Sequence, residues 1–235
     1  MERLDKLLVS QGVGSRREVQ KLIRRKAVTV NGETVTKPEA KLDPDNSRIE
    51  VSGRPISYKK NIYLMLNKPA GVVSATEDNL SRTVLELVPE EYRRRGLAPA
   101  GRLDKDTEGL LILTDDGDFA HKLISPKSKV YKRYYAELDA EITDEDIESF
   151  KSGIVLDNGE KCLPARLEKC ENSTAFVEIC EGKFHQVKKM FLSRGKKVLY
   201  LRRDAIGALR LDVNLPKGMA RELTKTEKDA IFVVK

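Results

Sequence analysis

Apolar positions along the chain change period several times, and each change predicts an element. Leu4, Leu7 and Leu8 recur at helical spacing. Val19, Leu22 and Ile23 repeat that spacing after Ser15-Arg16-Arg17-Glu18, which has the form of a capping box: a hydroxyl at the N-cap and a carboxylate three residues on. Two helices are predicted, the second running from Ser15 to about Arg25, with their apolar faces packed together. At Val28 the period falls to two. Val28-Thr29-Val30-Asn31-Gly32-Glu33-Thr34-Val35 reads as a hairpin whose Asn31 and Gly32 both need positive φ, and Arg48-Ile49-Glu50-Val51 reads as a further strand. Gly53, Pro55, Ser57, Lys59 and Lys60 have the composition of a linker. A second domain then opens with the strand Ile62-Tyr63-Leu64-Met65-Leu66, ending at the turn Asn67-Lys68-Pro69-Ala70-Gly71. Further on, Leu110-Leu111-Ile112-Leu113 predicts a strand, Asp118 the cap of the helix after it, and Thr143-Asp144-Glu145-Asp146 an exposed helix start with acids at the positive end of the dipole. The expected division is a basic module over 1–54, a linker over 55–61 and a second domain over 62–235.

The polar face of the second helix changes this picture, because it is cationic. Arg17, Lys21 and Arg24 fall at i, i+4 and i+7, joined by Arg16, Arg25 and Lys26. The 235-residue chain carries a net +7, and residues 1–60 hold 14 Lys+Arg against 8 Asp+Glu, so this first quarter supplies +6 of it. Such concentration points to an anionic partner, since Lys and Arg that neutralise phosphates release condensed counterions. Two helices, a cationic face and a tight hairpin within sixty residues resemble the S4 RNA-binding domain, and Arg16, Arg17, Lys21, Arg24 and Arg25 are its expected RNA contacts.

Composition removes several classes. No window approaches the ~18 consecutive apolar residues of a membrane-spanning helix. The charged start Met1-Glu2-Arg3-Leu4-Asp5-Lys6 lacks the apolar core of a secretory signal, so the cytoplasm is the expected compartment. Cys162, Cys170 and Cys180 are odd in number and lack metal-ligand spacing, which predicts free, partly buried thiols and no zinc site.

Candidate chemistry centres on the run Gly101-Arg102-Leu103-Asp104-Lys105-Asp106-Thr107-Glu108-Gly109, continuing to Gly117. Asp104 and Asp106 as a glycosidase pair fits poorly, because residues two apart in one loop rarely straddle a bond at the ~5–9 Å required. Asp115, Asp116 and Asp118 lack the spacing and distant Glu of a calcium loop. Lys183 to Arg203 holds eight Lys/Arg and no acid, a second candidate phosphate-tracking surface that includes Lys183. Asp139 to Glu148, by contrast, holds six acids and no base.

Asn67-Lys68-Pro69-Ala70-Gly71, the Gly101-to-Gly117 run, Lys132-Arg133-Tyr134 and Glu181-Gly182-Lys183-Phe184-His185-Gln186-Val187-Lys188-Lys189-Met190 stand in the order found in the RsuA/RluB family of RNA pseudouridine synthases. The resemblance spans essentially the whole chain, including the basic module and the tail Gly218-Met219-Ala220-Arg221-Glu222-Leu223-Thr224. Thr36-Lys37-Pro38 and Asn79-Leu80-Ser81-Arg82-Thr83-Val84-Leu85-Glu86-Leu87 resemble the RsuA branch, which acts on small-subunit 16S rRNA.

The resemblance implies an α+β protein: an S4-like α/β module followed by a catalytic domain built on a mixed, largely antiparallel sheet flanked by helices. It implies isomerisation of uridine to pseudouridine in rRNA, with Asp104 as catalytic carboxylate acting either as a nucleophile or as a base. Lys188 would pair with Asp104 at a position where the family often has Arg, keeping the charge but losing the bidentate fork. Tyr134 would stack on the uracil, with Tyr131 and Tyr135 as neighbouring candidates. Arg102 would flank the space left by the extruded base. His185 is expected to be structural rather than catalytic. No cofactor or metal is expected, and the partner is rRNA, most simply 16S rRNA in an assembling bacterial small subunit, bound by a monomer. Two other readings stand beside this one: a large-subunit 23S rRNA enzyme of the RluB type, and a non-catalytic RNA-binding ribosome-assembly protein. The latter need not retain Asp104, Tyr134 and Lys188 together.

Overall fold

The computed structural model describes residues 1–94 and 96–233; Arg95 and the last two positions of the expected 62–235 domain lie outside the described residues. The chain divides into two compact units, residues 1–62 with 89–97, and 63–88 with the chain from 98 onward.

In the first unit, helices Leu4–Ser10 and Arg16–Arg24 pack on a four-stranded antiparallel sheet ordered Glu33–Thr34, Val28–Val30, Ile49–Val51, Arg54–Ile56. The Ser15 hydroxyl accepts from the Glu18 amide at 3.4 Å while Glu18 Oε2 accepts from the Ser15 amide at 2.7 Å, completing the capping box. The turn residues Asn31 and Gly32 have φ of 53° and 85°, as the hairpin requires. Leu4, Leu7, Leu8, Val19 and Ile23 are fully buried with Val28 and Ile49, and Leu22 packs against their edge. Each such side chain contributes about 2 kcal/mol by leaving water.

The expected linker is corrected here. Arg54–Ile56 pairs with Ile49–Val51, so part of 55–61 is sheet. Pro55 is compatible with pairing because this strand lies at the edge. Lys59 is also held, its amide donating to Gln11 Oε1 at 2.9 Å.

The second unit is a mixed sheet ordered Arg166–Lys169, Thr174–Ile179, Lys132–Leu138, Val198–Ile206, Glu108–Thr114, Tyr63–Lys68, Ala220–Glu222. Among the described residues its one parallel pairing joins Val198–Ile206 to Glu108–Thr114, and the other neighbours run antiparallel. Glu108–Thr114 is buried along its whole length, which explains its unbroken apolar run. Gly109, at φ 99°, permits the parallel approach: a Cβ there would lie 2.3 Å from the Arg203 carbonyl oxygen.

Two sequence expectations shift. The helix Gly117–Ile124 is capped by Asp116, whose Oδ1 accepts from the Phe119 amide at 3.0 Å, rather than by Asp118, because the helix starts two residues earlier than a cap at Asp118 would set it. Helix Asp144–Ser152 has its capping box, but Asp146 is 1% exposed and paired with Arg194 at 3.0 Å and Lys196 at 2.6 Å, so this helix start is not simply solvated. The cysteines are free, with Cys162 and Cys180 buried. Among the described residues no helix is long and apolar enough to cross a membrane.

Candidate active site

Asp104 lies in the loop that leads into the Glu108–Thr114 strand, and that loop is fastened from below by the Asn67-to-Ser74 segment. Lys68 ends the Tyr63–Lys68 strand, two residues beyond the expected end at Leu66, and is fully buried. Its ammonium donates to the carbonyls of Thr107 at 2.8 Å, Asp104 at 3.0 Å, Pro69 at 3.0 Å and Lys105 at 3.3 Å. The Gly71 amide donates to Lys105 O at 2.7 Å, and Ser74 both donates to Leu103 O at 2.8 Å and accepts from its amide at 3.0 Å. The backbone on both sides of Asp104 is thus fixed, while its carboxylate stays 26% exposed. Burial pushes the Lys68 ammonium down to about 8, against the opposing pull of Asp106, Asp104 and Glu108.

The second wall comes from the Glu181-to-Met190 motif. Buried Glu181 accepts from Gln186 Nε2 and the Leu163 amide, both at 2.8 Å, and Gln186 Oε1 accepts from the Lys183 amide at 2.9 Å. These bonds set the start of helix Gln186–Leu192, from which Lys188 reaches the Asp104 loop. Its ammonium lies 3.6 Å from Asp104 Oδ2 and 2.5 Å from Asp106 Oδ1. The expected Asp104 pair is therefore a triad in which Asp106 is the closer partner. Burial tends to raise the Asp106 carboxyl, but the hydrogen bond and charge of Lys188 outweigh it and hold it below its usual range. His185 Nε2 stands 3.6 Å from Asp104 Oδ1, so both edges of the carboxylate face a nitrogen.

Tyr134 is placed differently. It is 8% exposed on strand Lys132–Leu138, and its hydroxyl accepts from Arg203 Nη1 at 3.3 Å. Arg203, itself 3% exposed, donates from Nε to Leu110 O at 2.7 Å. Tyr134 is thus tied to the strand that follows the Asp104 loop, through a residue the sequence reading had only counted in a basic strip. Tyr131 and Tyr135 alternate to the opposite face, where Tyr131 lies under Arg166 and Tyr135 packs against Phe176 and Tyr200.

The cationic surfaces divide in the same way. Arg16, Arg17, Lys21, Arg24 and Arg25 are exposed, and among the described residues none of them forms a salt bridge. Arg102 is exposed beside Asp104. Lys183, expected on RNA, instead donates to Lys161 O at 2.6 Å and pairs with Glu160 at 3.0 Å, because acids distant in sequence fold against it. The expected tracking surface from Lys183 to Arg203 is thinned likewise: Arg194 and Lys196 hold Asp146, Arg202 holds Asp204, and Arg203 is buried. Lys68 and Arg203 were the functional positions missed. Lys68 stands in the Asn67-to-Gly71 motif and closes an apolar strand immediately before Pro69, but nothing in that pattern shows which groups its ammonium holds. Among the described residues no cluster of His, Cys, Asp and Glu is suited to hold a metal ion.

Comparison with known proteins accords with this geometry. The model of the RNA pseudouridylate synthase family matches residues 62–193, and that of the S4 domain matches residues 2–47. The chain is 44% identical over 229 residues to the uncharacterized RNA pseudouridine synthase YtzG of Bacillus subtilis (strain 168), covering 96% of each. It is 40% identical over 228 residues to the ribosomal small subunit pseudouridine synthase A of Escherichia coli (strain K12), covering 96% of this chain and 97% of that one. A crystal structure of a pseudouridylate synthase, 34% identical, matches 98% of this chain and 100% of its own with a TM-score of 0.69.

Proposed function

The chain belongs to the RNA pseudouridine synthase family, with an S4 domain ahead of its catalytic domain, and on that premise we propose that Asp104 isomerises one uridine of 16S rRNA in the bacterial cytoplasm, the protein working as a monomer. The observation that carries the reading is the Asp104 carboxylate, fixed from below by Lys68 and faced by Lys188 and His185 at 3.6 Å each. The 16S target rests on the likeness to enzymes named for the small ribosomal subunit.

Forming pseudouridine breaks the N1–C1′ bond, turns the uracil, and rejoins it to C1′ through C5, which gives up its hydrogen. An ionised carboxylate can close on C1′ as a nucleophile or take the C2′ proton. Both routes need it charged and held in place, and the Lys188 ammonium stands 3.6 Å from its Oδ2. The reaction changes no oxidation state overall and transfers no group to a second molecule: the proton that leaves C5 passes to water, and N1, freed from C1′, takes one up. A stacked uridine hides its ribose from the loop, so the base must be extruded, and Arg102, exposed two residues before Asp104, fills the gap. Tyr134, oriented by Arg203, contacts the extruded uracil.

The test uses rRNA carrying tritium at uridine C5. The wild type releases tritium as C5 bonds to C1′, whereas Asp104→Asn releases none while still binding the RNA. Equal release by both proteins would refute the assignment.

A further inference from the structure

Phe184 and His185 occupy the bend between Gly182 and helix Gln186–Leu192, and the catalytic reading gives Phe184 nothing to do. His185 holds φ at 53°, in the left-handed region a non-glycine residue seldom adopts. The bend sets the two rings face to face, with centroids 3.9 Å apart and planes 19° from parallel. One end of this stack is the imidazole 3.6 Å from Asp104. The other is Phe184, 66% exposed, with the Lys189 ammonium 4.9 Å from its ring centre. A single exposed apolar residue would need no explanation. A parallel ring stack that begins at the reactive carboxylate and ends in solvent beneath a cation does.

Given the proposed role of Asp104, on which this rests, we infer that Phe184 and His185 form a stacking platform for the RNA base next to the target uridine. Extruding the target strips its neighbours of one stacking partner each. A ring stack already parallel and rooted at the target's carboxylate offers such a neighbour a replacement face. Lys189 stands over the Phe184 ring. A half-buried ammonium 4.9 Å from a ring centre is held more weakly than a stacked base, so the base displaces the ammonium, which turns to the adjoining phosphate. Because every base has a π-face, the platform tolerates sequence variation and acts on affinity rather than on bond-breaking.

The experiment takes an RNA fragment containing the uridine that the wild type converts, together with versions made abasic at each flanking position in turn. Phe184→Leu raises KM roughly tenfold while kcat at saturating RNA is unchanged, and Phe184→Trp restores KM. One abasic position raises the wild-type KM by the same factor but leaves the Phe184→Leu KM where it was. Lys189→Ala lowers the slope of log KM against log salt by roughly one. An unchanged KM in Phe184→Leu, or abasic and Phe184→Leu penalties that multiply at every position, overturns the platform in an enzyme whose chemistry stands. A wild type that converts no uridine overturns the catalytic reading, and the platform with it.

Discussion

Lys68 has no exposed surface, and its ammonium spans four carbonyl groups of the backbone that carries Asp104. Replacing it with Met keeps the volume but strips the Thr107 and Pro69 carbonyls of this donor, while those of Lys105 and Asp104 keep the Gly71 and Thr107 amides; each buried carbonyl that loses its donor costs about 1–3 kcal/mol before relaxation. Lys68→Met should therefore unfold at lower urea by at least about 2 kcal/mol and lose turnover more than RNA affinity. Parallel urea titrations and single-turnover rates check both. Asp104 itself was legible in the sequence because its neighbours form a contiguous motif. Lys68 stands in a motif too, but what it holds was not legible, because its partners are main-chain atoms up to 39 positions away and leave no side-chain pattern. The same holds for Tyr134: alternation along its strand separates it from Tyr131 and Tyr135, but only the fold reveals Arg203 at its hydroxyl.

At the scale of elements, helix Asp144–Ser152 is pinned through one buried carboxylate. Burial alone would raise the Asp146 carboxyl, yet hydrogen bonds from Lys196, the Thr143 amide and Arg194 together hold it down to about 2. Its folded value lies below the ordinary one, so the stabilisation is fully present above about pH 4 and is lost as pH falls toward 2. Its size is about 2 kcal/mol. Asp146→Asn should remove that increment at neutral pH and flatten the acid limb of a plot of stability against pH, as thermal unfolding across pH 2–6 would show. The acidic run looked solvated in the sequence because Arg194 and Lys196 lie some fifty residues away. Capping boxes and the Asn31-Gly32 turn, by contrast, are local agreements of residue and backbone, and these were legible throughout the first unit. The Arg54–Ile56 strand was missed because Pro and Gly mark a breaker whether the chain leaves a sheet or turns to form its edge.

Over the whole molecule, charge is partitioned between two tasks. The first unit exposes Arg17, Lys21 and Arg24 on one helix face, whereas much of the second unit's cationic strip is spent on internal carboxylates. Changing those three residues together to Ala should weaken RNA binding and lower the slope of log K against log salt by roughly two to three, with turnover at saturating RNA retained. A slope equal to that of the wild type would show that this face does not meet phosphate. Whether Asp104 makes one pseudouridine in small-subunit rRNA is decided by treating unmodified 16S and 23S rRNA with wild type and with Asp104→Asn, then mapping carbodiimide-dependent primer stops. One new stop, in 16S rRNA and made by the wild type alone, is expected. A stop made equally by Asp104→Asn would remove the carboxylate from the chemistry, and one confined to 23S rRNA would overturn the small-subunit target.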